Sequence, residues 1–150
     1  MRAYPDTSFL CAMYVQQVHS MRAASFFAAM AEPLPVASPM LYEFRQSMRW
    51  QAFWNGRDPM KGFSKATARA ILSKLQSNIA AGAIVVVPVD WADVVSIAER
   101  LSAQHTWTGG FRAFDILHVA TALHLGAVEF LTFHAAQRQL AELEGLEVPV

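Results

Sequence analysis

Short apolar runs alternate with longer stretches in which apolar residues recur every three or four positions, and this rhythm predicts an α/β chain with a mainly parallel sheet. Arg2 to Pro5 reads as a first strand that stops at Asp6. Thr7 or Ser8 then caps a helix whose Phe9, Leu10, Met13 and Tyr14 share one face. A second helical stretch runs from Ser20 to about Met30, and Pro33 and Pro35 interrupt it. Ser38 followed by Pro39, a capping hydroxyl and then proline in the first turn, opens a helix that continues through Leu41, Phe44 and Met48 to about Phe53.

Asn55 to Gly62 reads as a connection, and Ser64 caps the next helix, with Ile71, Leu72 and Leu75 inward and Gly82 at its end. Ile84 to Val89 is β-branched almost throughout, which predicts a strand buried on both faces. Asp90 caps a helix from Trp91 to about Gln104, and Thr106 to Gly110 is expected to be a loop. The cleanest helix spans Ala113 to Leu125, with Ile116, Val119, Ala120 and Leu123 on one face and Gly126 behind it. Val128 to Phe133 predicts a strand, Ala135 to Glu144 a helix, and Leu146 to Val150 a last short strand. No repeat or long linker divides the chain, so a single domain over residues 1–150 is expected.

Composition narrows the partners. The chain is 54% hydrophobic and 16% charged, which calls for a densely filled core or for a surface that a partner covers. Its formal net charge is zero, so any contact with nucleic acid must come from a local patch. Cys11 is the only cysteine, which excludes an internal disulfide and reads as a small buried hydrophobe. Met1 to Tyr4 lacks the apolar stretch of a signal peptide, and Ala80 to Val89 is too short to cross a bilayer. A cytoplasmic protein without a membrane segment is the expectation. No Gly-x-Gly-x-x-Gly turn follows a strand, and no nucleophile turn marks a serine or cysteine hydrolase.

Three of the carboxylates lie where a solvated surface charge is not the obvious explanation. Asp6 sits just past the first strand, where parallel α/β sheets present their ligand-binding groups, although an N-cap explains it equally. Glu43 and Asp115 each sit in a first helical turn, where an acid also complements the helix dipole. Brought together, the three would repel one another, and a divalent cation is the natural remedy. Mg2+ prefers oxygen ligands, and such a centre can activate water against a phosphodiester. Thr7 and Ser8 could steady Asp6 or a bound water, or simply cap the helix. Arg112 could bind phosphate or form a surface ion pair, His118 reads as a hydrogen-bonded structural histidine, and Gln137 could reach the site from the last helix.

The stretch Tyr4-Pro5-Asp6-Thr7-Ser8-Phe9-Leu10 resembles the opening of a PIN domain, and Leu41-Tyr42-Glu43-Phe44-Arg45 resembles the segment bearing that family's glutamate. The closest likeness is Arg112-Ala113-Phe114-Asp115-Ile116-Leu117-His118-Val119-Ala120-Thr121-Ala122, similar to the Asp-centred helix of VapC-like PIN proteins. Phe130 to Gln137 and Gly145 to Val148 look like the family's closing strand, helix and strand. The resemblance implies a three-layer α/β/α PIN-like fold with a central, mainly parallel sheet of four to five strands. It implies a ribonuclease toxin that uses Mg2+ or Mn2+ on Asp6, Glu43 and Asp115, pairs with a cognate antitoxin and forms a homodimer. At the end of the closing strand the family usually offers a further acid, and here His134 stands in its place. A nitrogen donor there favours Mn2+ over Mg2+ and leaves open a general acid or base, or an exposed bystander.

Cations concentrate in mid-chain, where Arg45, Arg49, Arg57, Lys61, Lys65, Arg69 and Lys74 face Asp58 alone among acids. Trp50, Phe53 and Trp54 are interleaved with them, a mixture suited to single-stranded RNA, with Arg45, Arg49, Lys61 and Lys65 as candidate contacts. A solvated helix face over core aromatics explains the same pattern. So does an antitoxin-docking surface that also uses Phe26, Phe27 and Met30. Two further classes stay open: a catalytically silent PIN-like module that binds RNA or protein, and a DNA-acting nuclease, which the zero net charge disfavours.

Overall fold

The structure is a computed structural model that describes residues 1–150. Four short strands, β1 (Ala3–Pro5), β2 (Leu34–Val36), β3 (Ile84–Val86) and β4 (Glu129–Leu131), pair only in parallel. In β1 and β4 Tyr4 stands opposite Phe130, and in β2 and β3 Pro35 stands opposite Val85. A parallel bridge from Glu147 to Glu129 extends the far side of β4, and β1 lies beside β2. The order across the sheet is therefore β3, β2, β1, β4 and the Glu147 bridge, which falls within the expected four to five strands. The last strand, expected over Leu146 to Val150, is reduced to that one bridge.

Two prolines explain why the sheet is laddered in halves. Glu129 N donates to Arg2 O and Asp6 N to Leu131 O, so the even-numbered residues of this stretch bond to β4. Ala3 and Pro5 then face β2. Leu34 N donates to Ala83 O and Val36 O accepts from Val87 N, so Pro35 is turned away from β3, toward β1. Neither Pro5 nor Pro35 has an N–H to give, and no ladder forms across the seam. The sequence reading took Pro33 and Pro35 as an interruption. β2 exists there because Pro35 occupies the one position of the strand that β3 does not need as a donor.

The helices are α1 (Thr7–Tyr14), α2 (Ser20–Ala29), α3 (Ser38–Asn55), α4 (Lys65–Ala80), α5 (Trp91–Leu101), α6 (Trp107–Gly109), α7 (Ala113–His124) and α8 (Ala135–Leu143). α1 packs on α2 and α3, and α3 on α4, while α5, α7 and α8 form a second group, completing the α/β/α layers. One core joins them, with Phe9, Leu34, Phe44, Ile84, Val119 and Phe130 fully buried. Each contributes roughly 1.5–3 kcal/mol of apolar burial.

Several boundaries move for local reasons. The cap of α1 is Asp6, not Thr7 or Ser8: its backbone is extended and its side chain accepts from Phe9 N. α3 is preceded by extended Ala37, and Ser38 lies inside the first turn without a capping bond. Ser64 and Asp90 do cap α4 and α5. The expected loop over Thr106 to Gly110 is instead a π-helical turn, Ser102–Thr106, running into α6, which Gly110 ends at a φ of 65°. β3 is not buried on both faces. It is an edge strand in which Ile84 is buried while Val85 and Val86 are 36% and 47% exposed.

Candidate active site

The site begins where β1 gives way to α1, at the carboxyl end of the sheet. Asp6 is fully buried. Its Oδ1 accepts from Ser8 Oγ at 2.7 Å and from Phe9 N at 2.9 Å, and its Oδ2 accepts from Thr132 Oγ1 at 2.7 Å. Burial pushes its carboxyl above the usual range, and these three donors only partly offset that. The two sequence readings of Asp6 are compatible, since the capping oxygen and the Thr132-bound oxygen are different atoms.

Glu43 comes from the second turn of α3. Its Oε2 is bonded to the Thr7 hydroxyl and to His118 Nε2, the latter at 2.7 Å. Burial alone would raise its carboxyl, yet the bonds from His118 and Thr7, with the charges of His118 and His134, outweigh it and hold Glu43 below the usual range. His118 is buried on α7, and its ring also lies 3.5 Å from Thr7 Oγ1 and lowers the Asp6 carboxyl electrostatically. It is hydrogen-bonded, as its setting between Leu117 and Val119 implied, and its partner is the candidate glutamate.

Asp115 lies in the first turn of α7, 8% exposed. Its Oδ1 accepts from Gln137 Nε2 at 3.0 Å and its Oδ2 from Arg112 N at 3.4 Å. His134 Nδ1 is 3.6 Å from Oδ1, with the ring half exposed at the rim. The imidazoles thus link the acids: His118 biases Asp6 and Glu43, while His134 biases Glu43 and neighbours Asp115.

Thr7, Ser8 and Gln137 each bond one of the three acids, Glu43, Asp6 and Asp115 respectively, whereas Arg112 contributes its backbone N–H and leaves its exposed guanidinium outside. Arg45 and Arg49 lie about 160° and 120° round α3 from Glu43, on another face. Lys61 stands 5.6 Å over the Trp54 ring, and Lys65 is exposed at the start of α4. Sequence reasoning missed Thr132, whose hydroxyl joins Asp6 to His134 N, and its only signal was a hydroxyl at the end of a strand. Burial pushes the Cys11 thiol up to about 12, which suits an inert packing residue. His124 pairs with Asp93 on the surface, away from the acids. A hollow of about 430 Å3 lies at the opposite, amino end of the sheet, lined by Arg2, Phe26, Met30 and Pro33 among others, and holds none of these groups.

The donor set fits a divalent cation in kind: carboxylate oxygens from Asp6, Glu43 and Asp115, with an imidazole at His134. Gln137 Oε1, beside Asp115, is buried without a hydrogen-bond donor, an orphan that a cation-bound water would satisfy. In the arrangement seen, no three acid or imidazole groups surround one point, and Glu43 is held by His118.

No helix is long and apolar enough to cross a membrane. A search of curated protein sequences finds no match. Among solved structures, the chain is similar to VapC20 of Mycobacterium tuberculosis, described as a Sarcin-Ricin loop cleaving toxin. The identity is 17%, the TM-score 0.64, and the likeness covers 91% of this chain and 93% of that one. FitAcB from Neisseria gonorrhoeae is similar at 16% identity and a TM-score of 0.66, covering 97% of this chain and 95% of its own. At these identities the likeness establishes the fold. The family model described as PIN domain matches residues 3–143, from the first strand through the last helix, and the chain belongs to the PIN-domain family.

Proposed function

We propose that the chain, as a single domain over residues 1–150, is a divalent-metal-dependent endoribonuclease and the toxin of a toxin–antitoxin pair. One observation carries the reading. Asp6, Glu43 and Asp115, from three separate elements, are each held by their own donors at the carboxyl ends of the strands of a PIN domain, with His118 acting on Asp6 and Glu43 and His134 on Glu43 and beside Asp115. Asp6 and Asp115, with Glu43 or His134, would hold Mg2+ or Mn2+. Such a cation neutralises phosphate charge and lowers the pKa of a bound water.

The chain's own groups do the rest. Ser8, Phe9 N and Thr132 fix Asp6 in one rotamer, and Gln137 fixes Asp115. Glu43, kept ionised by His118 and Thr7, has its Oε1 free to accept a proton from an attacking water. His134, half exposed, can give a proton to the departing oxygen. VapC20, whose fold this chain shares, is described as a Sarcin-Ricin loop cleaving toxin, which supports a toxin's role and an antitoxin as partner here; a homodimer as the working form is part of the same proposal.

A second reading is a silent PIN module that binds RNA or protein, favoured by His134 in place of an acid. Cleavage of a mixed RNA panel in EDTA, Mg2+ or Mn2+, beside Asp115→Asn, decides between them. Metal-dependent cutting that the variant loses while staying folded is expected. An uncut panel under every metal, from folded protein free of antitoxin, would leave the silent module.

A further inference from the structure

The aromatic residues in the last two turns of α3 are not core. Met40, Leu41, Phe44 and Met48 are the helix residues that turn inward, while Trp50, Phe53 and Trp54 are 50%, 41% and 37% exposed. At 3.6 residues per turn, Ser47, Trp50 and Trp54 fall within about 40° of Glu43 round the helix axis, with Trp50 about 10 Å and Trp54 about 16 Å along it. A single stripe therefore runs from the Glu43 carboxylate to an indole pair farther down the same helix.

That pair is held in place and positively lined. Trp50 stacks on Phe53 at 5.2 Å with 8° between the rings, and Trp54 meets both edge-on. Arg57 covers the Phe53 ring at 3.6 Å, and Lys61 stands over Trp54. Lys61 also pairs with Asp58 at 3.6 Å, and Asp58 is the only acid between Glu43 and Asp90. Large flat faces, immobilised by one another and flanked by guanidinium and ammonium groups, are complementary to unpaired bases on a phosphate backbone. A base inside a duplex has its faces already occupied.

We infer that the Trp50–Trp54 stripe of α3 is a base-stacking platform that seats single-stranded RNA with the bond to be cut at the Glu43 end. This rests on the nuclease reading for its orientation, but not for the binding itself. A regular duplex cannot offer bases to the indoles, so the substrate class is unpaired RNA, either a free strand or a loop.

The test uses a fluorescein-labelled single-stranded RNA 12-mer, and the same strand annealed to its complement, in anisotropy titrations with the non-cleaving Asp115→Asn protein in EDTA. Trp50→Ala and Trp54→Ala are expected to weaken single-strand binding roughly ten- to hundred-fold, the scale of one lost base stack, and Trp50→Phe to restore most of it. Duplex binding is expected to be weaker and indifferent to the Ala substitutions. Unchanged single-strand affinity in folded Trp50→Ala overturns the inference, as does absence of single-strand binding by the parent. A parent dimer that Trp50→Ala turns into monomer with RNA affinity intact also overturns it, and makes the face an interface between copies. Metal-dependent cleavage by the otherwise native protein that is insensitive to both Ala variants sinks the platform and spares the nuclease. Trp-dependent single-strand binding without cleavage does the reverse.

Discussion

Thr132→Val isolates the one side-chain contact that joins the closing strand to the Asp6 carboxylate. Thr132 is fully buried, its hydroxyl donates to Asp6 Oδ2 at 2.7 Å, and it accepts from His134 N at 2.9 Å. Valine keeps the shape and removes both bonds. A hydrogen bond to a charged group contributes about 1.5–3 kcal/mol, and the His134 N–H, near the rim, adds about 1 kcal/mol at most. The expected cost is about 2–4 kcal/mol, or a fall in Tm of roughly 5–15 °C. Urea unfolding in EDTA at neutral pH, followed by circular dichroism, measures it. The decisive comparison repeats the substitution in Asp6→Asn, where the partner carries no charge and the cost drops to about 1 kcal/mol, a coupling of about 1–2 kcal/mol. The pH dependence must agree. Burial holds the Asp6 carboxyl above its unfolded range, so the folded state keeps a proton that the unfolded chain releases. Stability from this group is fully present below the ordinary carboxylate range and declines as pH rises through the folded value. Thr132→Val removes a donor and extends that decline upward, and Asp6→Asn abolishes it. An equal cost of Thr132→Val in both backgrounds would refute the claim that the hydroxyl acts through the carboxylate.

The Glu43–His118 pair has the opposite sign. Glu43 is held below its usual range, so its contribution is present above the unfolded carboxylate value and lost as pH falls through the folded one. His118→Gln should therefore cost about 0.5–1 kcal/mol at neutral pH, after allowing for screening of the partly exposed Glu43, and the gap in Tm to the parent should close on acidification. A gap independent of pH would sink the pairing. His134→Asp restores an oxygen donor beside Asp115, and calorimetric titration should then find Mg2+ binding strengthened relative to Mn2+ by on the order of tenfold, ~1.4 kcal/mol. An unchanged ratio would place His134 outside the donor set.

What was legible in the sequence was whatever repeats locally. The Ala113 helix, the Ser64 and Asp90 caps and the β4–α8 tail follow from periodicity and capping chemistry, which act over a few residues. β2 was hidden because a proline in a strand is permitted or forbidden by which neighbour its missing donor faces, and that is a property of sheet order. The exposure of Val85 and Val86 was hidden likewise, since β-branched residues suit an edge as well as a centre. On α3 the spacing that groups Trp50 and Trp54 with Glu43 could be counted from the sequence, but periodicity does not say which stripe meets the core.

The partners of the three acids follow one chemical rule. Asp6 takes two hydroxyls and a backbone N–H, Glu43 a hydroxyl and an imidazole, and Asp115 an amide and a backbone N–H, with His134 nearby. No lysine or arginine side chain pairs with any of them, although Arg112 is three residues from Asp115. A fixed guanidinium would cancel the charge permanently and fill the acceptor directions. Hydroxyl, amide, backbone and imidazole donors instead set the rotamers and use some of the lone pairs, without the permanent cation of a guanidinium. Burying Asp6 without a cation carries the desolvation cost seen in its raised carboxyl. A diffusible cation that lowers this cost stabilises the folded protein in proportion to its affinity. Added Mn2+ should therefore raise Tm in the parent and do so much less in Asp6→Asn. An equal rise in both would mean that the cation binds elsewhere and that the acids are structural.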